Sequence, residues 1–148
     1  MKKISQEELQ EILEAYRLWV ESRGMGGRWT DLSETDFSKA DLSGVNLHRA
    51  NLSKANLSKA NLSRIYLYGA DLLRANLCEA NFSKAILRWA DLSEANLSGA
   101  DLSKADLYGA DLRWANLKVA TAKDCNICGA QFSFPEDRAR LLMLGAKE

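Results

Sequence analysis

Between Thr30 and Phe134 the chain repeats a five-residue frame 21 times without insertion or deletion. A strict period of five matches neither the 3.6 of an α-helix nor the 2 of a simple strand. It matches a chain that turns a corner once per repeat. The central residue is Leu in 16 of the 21 units, and otherwise Phe37, Phe82, Phe132, Ile127 or Ala122. Two places earlier stands Ala in 16 units, and otherwise Thr30, Thr35, Val45, Ile65 or Cys125. Leu and the small Ala are therefore expected to point inward, with Ala letting opposing walls approach. Outward go an Asn or Asp, a residue that is Ser in 11 units, and a variable residue. Short polar side chains suit such corners because they hydrogen-bond nearby backbone.

Units such as Ala50-Asn51-Leu52-Ser53-Lys54 and Ala100-Asp101-Leu102-Ser103-Lys104 read A-(D/N)-L-x-x. On these units the chain resembles the pentapeptide-repeat family, over about 70% of its length. The resemblance implies an all-β solenoid, a right-handed quadrilateral β-helix with four pentapeptides per coil. About five coils would stack at ~4.8 Å into a rod of roughly 25 Å. The residues lend their own support to a 20-residue coil. Grouped by every twentieth position, three sides carry Ser after the central residue in 11 of 16 units. The fourth side carries none, having His48, Tyr68, Arg88, Tyr108 and Cys128 instead.

A stack of coils has two open ends, and each needs a cover. Residues 1–29 are expected to form an N-terminal capping helix and hinge. Ser5-Gln6-Glu7-Glu8 reads as a capping box, with Ile4 and Leu9 as a hydrophobic staple. Leu9, Ile12, Leu13, Tyr16, Trp19 and Val20 then share one face. Gly24 is a natural stop, Gly24 to Gly27 a hinge, and Trp29 is expected to pack at the junction. Residues 30–134 form the solenoid. Residues 135–148 hold a short helix opened by Pro135 at its favoured first position and running to about Leu144. Its Leu141, Leu142 and Leu144 suit closure of the last coil. They equally suit a homodimer contact, which the resemblance to gyrase-binding relatives implies.

Charge and chemistry narrow the function classes. The 20 basic and 20 acidic residues cancel, and the repeat tract is likewise neutral. That balance argues against direct nucleic-acid binding and against an acidic imitation of nucleic acid. No stretch approaches the ~20 apolar residues of a membrane span. Three cysteines, Cys78, Cys125 and Cys128, are too few to staple the fold, and the expected compartment is the cytoplasm. His48 is the only histidine, and it reads as an exposed ladder residue rather than a catalytic base. Cys125 should point inward and Cys128 outward, so the pair does not converge on a metal. The Asp residues before the central position alternate with Asn, which points to corner hydrogen bonding. No enzyme, cofactor or metal site is expected.

One side departs from the pattern. Tyr66 and Ile86 replace the outward Asn/Asp, and His48, Tyr68, Arg88 and Tyr108 replace Ser. Trp89 stands at a corner with Gly69 and Gly109 one coil away on either side. Arg88 is expected between Tyr68 and Tyr108 as a cation–π sandwich. Tyr, Trp and Arg are enriched at binding hot spots, so this face is the candidate protein-binding surface. Stabilising ladders of stacked rings would look the same in sequence. The remaining faces read as solvated surface. Three readings follow: a non-catalytic scaffold binding another protein through this face, a DNA-gyrase-binding protein acting as a DNA mimic, which the family resemblance implies, and a passive repeat module.

Overall fold

The computed structural model describes residues 1–23, 25 and 31–148. The expected stop at Gly24, the hinge to Gly27 and the packing of Trp29 lie outside the described residues. Among the described residues four elements are regular enough to name: β1 (Lys2–Lys3), α1 (Gln6–Glu21), β2 (Thr35–Asp36) and α2 (Pro135–Met143). Between β2 and α2 the chain is a solenoid whose sides are held by single parallel bridges. Each bridge joins residues twenty apart, from Asp36 with Asn56 to Asp111 with Gln131. A twenty-residue step over a five-residue unit places four pentapeptides in each coil.

Local chemistry explains the corners. In the unit around Leu57, the Ala60 amide donates to the Leu57 carbonyl at 3.1 Å, closing a turn. The Asn56 Oδ1 accepts from the Ser58 amide at 3.2 Å, a bond that an Asp makes equally well. Lys59, the fifth residue, sits at φ 60, and every fifth residue from Glu34 to Gly129 is likewise left-handed. Between corners, the Leu57 amide reaches the Asn76 carbonyl and the Asn76 amide reaches the Ala55 carbonyl. The backbone is thus satisfied rung by rung, as a buried chain requires.

The core is the stack of central residues and alanines. Leu67, Leu87 and Leu107 are fully buried, as are Phe82 and the substitutes Ile65 and Cys125. Full burial of one such Leu contributes about 1.5–3 kcal/mol.

Both ends are covered, and by more than helices. Ser5 Oγ accepts from the Glu8 amide at 3.1 Å, and Glu8 Oε2 accepts from the Ser5 amide at 2.8 Å, so the capping box forms. Leu9 and Tyr16 are buried, with Ile12, Leu13, Trp19 and Val20 packed partly against the core. The Tyr16 hydroxyl donates to the His48 carbonyl. In later coils that carbonyl position, as at Tyr68 and Arg88, accepts an amide from the coil before. Lys2–Lys3 adds a parallel strand beside Thr35–Asp36, which the sequence reading did not anticipate. At the other end Leu141 is wholly buried and Ala146 nearly so. Lys147 then pairs with Asn126 as one more rung. Leu141 is therefore withdrawn from the expected dimer contact, because it is spent on its own last coil.

Candidate protein-binding face

The side bearing Leu47, Leu67, Leu87, Leu107 and Ile127 runs through bridges linking Asn46, Tyr66, Ile86, Asp106 and Asn126, and ends on Lys147. Its backbone bonds match those elsewhere: the Tyr66 amide meets the Val45 carbonyl at 2.9 Å, and the Ile86 amide meets the Ile65 carbonyl at 2.9 Å. The difference lies in the side chains. Tyr and Ile offer no carboxamide oxygen, so no side-chain bond closes the turn onto the amides of Tyr68 and Arg88. The amides of His48 and Tyr108 keep theirs, from Asn46 and Asp106.

Two ring clusters form. In the first, His48 lies 5.5 Å from Tyr68 and 6.1 Å from Tyr66, and the two tyrosines stack at 6.5 Å. His48 is half-buried, and its Nδ1 is buried without a partner among the described residues. The expected exposed ladder residue is thus corrected, since the two tyrosine rings crowd its imidazole and α1 reaches its carbonyl through Tyr16. In the second cluster, Trp89 meets Tyr108 edge-on at 5.5 Å and 78°. A Cβ built on Gly109 would stand 2.6 Å from a Trp89 ring carbon, so the indole lies directly against that glycine.

The expected sandwich around Arg88 is half realised. Its guanidinium carbon is 5.8 Å from the Tyr108 centroid, and no such contact is made with Tyr68. The reason is Asp106, whose Oδ2 takes the Arg88 Nε at 2.5 Å and draws the side chain toward Tyr108. That bond holds the Arg88 guanidinium above its ordinary range. Asp106 was read from sequence only as a corner residue. Trp89 is 54% exposed, Tyr108 39% and Tyr66 36%, while Tyr68 and Ile86 are half-buried.

The other sides are different but not featureless. Along one of them, carboxamides bond from coil to coil: Asn56 to Asp36, Asn76 to Asn56, Asn96 to Asn76 and Asn116 to Asn96. Corner charges pair between coils, as Lys54 with Glu34, Lys59 with Glu79 and Arg74 with Glu94. The expectation of a plain solvated surface fails at one corner. Trp114, 66% exposed, meets Phe134 edge-on at 5.2 Å. The signal was present, because Trp114 holds a corner position that otherwise carries mostly charged or glycine residues.

Among the described residues, no group of three or more His, Cys, Asp or Glu is placed to hold a metal ion. Burial pushes the Cys125 thiol up to about 12, and Cys128 is exposed on the opposite side of the wall. The aspartates of another column, Asp71, Asp91 and Asp111, each use Oδ1 on the amide two residues on.

A family model described as pentapeptide repeats matches residues 28–64, 60–99, 87–118 and 95–133 in eight copies. The chain belongs to the pentapeptide-repeat family. The chain is also similar to solved structures. One is HetL from the cyanobacterium Nostoc sp. strain PCC 7120, a pentapeptide-repeat protein involved in heterocyst differentiation regulation. It is 35% identical over 70% of this chain and 58% of its own, with a TM-score of 0.59. Rfr23 from the cyanobacterium Cyanothece 51142 is 40% identical over 60% of each chain, with a TM-score of 0.37. A pentapeptide-repeat protein of the Arabidopsis thaliana thylakoid lumen is 28% identical over 80% of each, with a TM-score of 0.44. Among curated proteins none matches. This pentapeptide-repeat protein has, among its described residues, no helix long and apolar enough to cross a membrane.

Proposed function

We propose that this pentapeptide-repeat protein is a non-catalytic cytoplasmic scaffold, a right-handed quadrilateral β-helix that binds another protein through the face of Tyr66, Trp89 and Tyr108. One observation carries the reading: these three rings are exposed on a backbone as regular as the rest of the solenoid. Large rings on a rigid frame give contact area at little entropic cost, and Arg88, exposed beside them, adds a directional donor. His48 and Tyr68 pack against Tyr66, and Ile86 follows it on the next coil.

The test is an affinity capture comparing the native protein, a Tyr66/Trp89/Tyr108→Ser variant and a Trp114/Phe134→Ser variant of matched thermal stability. A partner lost from the first variant and kept by the second is expected. A partner kept by both, or lost from both, overturns the assignment.

The charge pattern argues against gyrase binding by DNA mimicry. A duplex-like surface is continuously negative, whereas acids and bases pair along the corners here. At the C-terminal end, Leu144 is 41% and Met143 89% exposed. With half-buried Leu142 they support a homodimer contact. Sedimentation showing monomer mass at every concentration would remove it.

A further inference from the structure

The first coil has no coil before it, so each of its sides needs a partner from elsewhere. In the second coil, the Asn61 amide donates to the Ala40 carbonyl, and the carbonyls of Asn61 and Ser63 accept from Leu42 and Gly44. The first-coil equivalents are the Asp41 amide and the carbonyls of Asp41 and Ser43. None of the three has a hydrogen-bond partner among the described residues. The neighbouring edges are treated differently: Lys2–Lys3 pairs with one, and the Tyr16 hydroxyl serves the other at His48.

Helix α1 runs opposite the open edge, and a groove of about 640 Å³ lies between them. Leu13 and Val20 of α1 and Val45 of the coil give it an apolar floor. Among the described residues its charge comes from Glu14, Glu21 and Asp41, against Arg17. Arg17 is already held by Glu14 at 2.6 Å and Glu21 at 3.0 Å, so three carboxylates face one committed guanidinium. An unpaired edge is a template for strand addition, and a net negative rim selects a cationic guest.

We propose that this edge accepts an extended basic peptide segment of a partner protein as an additional rung. A carbonyl of the segment takes the Asp41 amide, and its amides donate to the Asp41 and Ser43 carbonyls. Alternate side chains then fall on opposite sides. Apolar ones rest on Leu13, Val20 and Val45, and Lys or Arg reaches Glu14, Glu21 and Asp41. Gly44, at φ 69, turns the coil away, so the contact ends after about five residues, one side of the coil. This site is separate from the aromatic face and stands without it.

The experiment uses the full chain and a fluorescent, acetylated Lys-Val-Lys-Val-Lys amide. Saturable binding is expected, with hydrogen exchange of the Asp41 amide slowed about tenfold at saturation. A peptide of the same charge with alternate amides N-methylated should bind about tenfold more weakly, having lost its donors. The Glu14→Gln/Glu21→Gln variant, still helical by circular dichroism, should also bind more weakly. The Tyr66/Trp89/Tyr108→Ser variant should bind as the native chain does. The proposal is overturned if the basic peptide does not saturate, if N-methylation changes nothing, or if Glu-Val-Glu-Val-Glu binds equally. Loss of binding in the aromatic variant also overturns it, by placing the peptide on the other face.

Discussion

The side from Asp36 to Asn116 and the side from Asn46 to Asn126 share one backbone and diverge in what they do with their outward positions. On the first, each carboxamide closes its own turn and bonds to the coil before, so its polar atoms are satisfied within the molecule. On the second, Tyr66 and Ile86 interrupt that ladder and leave rings at the surface without breaking a backbone rung. The lesson is a division of labour. Inward residues and the rungs hold the solenoid, and outward positions are free to be turned to recognition at a small local cost.

The largest test of that division lies beneath both faces. Leu87→Ala under the aromatic side and Leu97→Ala under the carboxamide side are each expected to cost about 2–5 kcal/mol in urea unfolding. A difference between them well above 1 kcal/mol would show that the surface rings also hold the core. Next comes the corner under the indole. Gly109→Ala places a Cβ against Trp89 at a left-handed φ of 67 and should cost roughly 1–3 kcal/mol while shifting Trp89 fluorescence. Gly99→Ala, whose Cβ comes nearest the flexible Glu79 Cγ at 3.2 Å and meets backbone only at 3.9 Å, should cost less.

Interrupting the ladder is the third test. Asn76 takes part in three side-chain bonds, so Asn76→Ala should lower stability by about 1–2 kcal/mol. Ile86→Asn runs the other way. It offers the Arg88 amide the turn acceptor it lacks and should raise stability by about 0.5 kcal/mol, measured by thermal unfolding. A marked loss would mean that Ile86 matters more as packing than as an interruption.

The smallest effect is in acid. The amides of Ser38 and Ser43 hold the carboxyls of Asp36 and Asp41 below the ordinary range. Burial pushes Asp101 up, but bonds from Ser103 and Thr121 outweigh it and leave that carboxyl lowered too. A lowered folded value means the contribution is complete above the unfolded value near ~3.9 and is lost as pH falls through the folded one. Melting temperature should therefore drop as pH falls below about 4. Asp101→Asn, which keeps both bonds without the charge, should make the drop shallower.

Much of this was legible in the residues. The interchange of Asn and Asp announced the turn bond, since only the shared Oδ1 is used. Cys125 and Cys128 were placed on opposite sides of the wall by counting alone. The capping box at Ser5 and Glu8 involves neighbours in sequence. What escaped involves residues far apart. Asp106 and Arg88 are eighteen residues apart, diagonal neighbours on adjacent coils, and Tyr16 and His48 are thirty-two apart, with no repeat to relate a helix to a coil. Trp114 was visible as an oddity, but its meeting with Phe134 depends on the last corner.

The sequence by itself determined the coil, because a five-residue period with Leu and Ala in fixed places admits only a chain that keeps turning around one apolar axis. Only the tertiary structure decided how that coil ends. Lys2–Lys3, Tyr16, Leu141 and Lys147 belong to no repeat, and their positions follow from which edge groups and apolar ends the stack left unpaired. The same holds for exposure. The repeat places a Tyr or Trp outward, but neighbouring rings, a glycine or an aspartate decide whether it lies down, pairs or stands free.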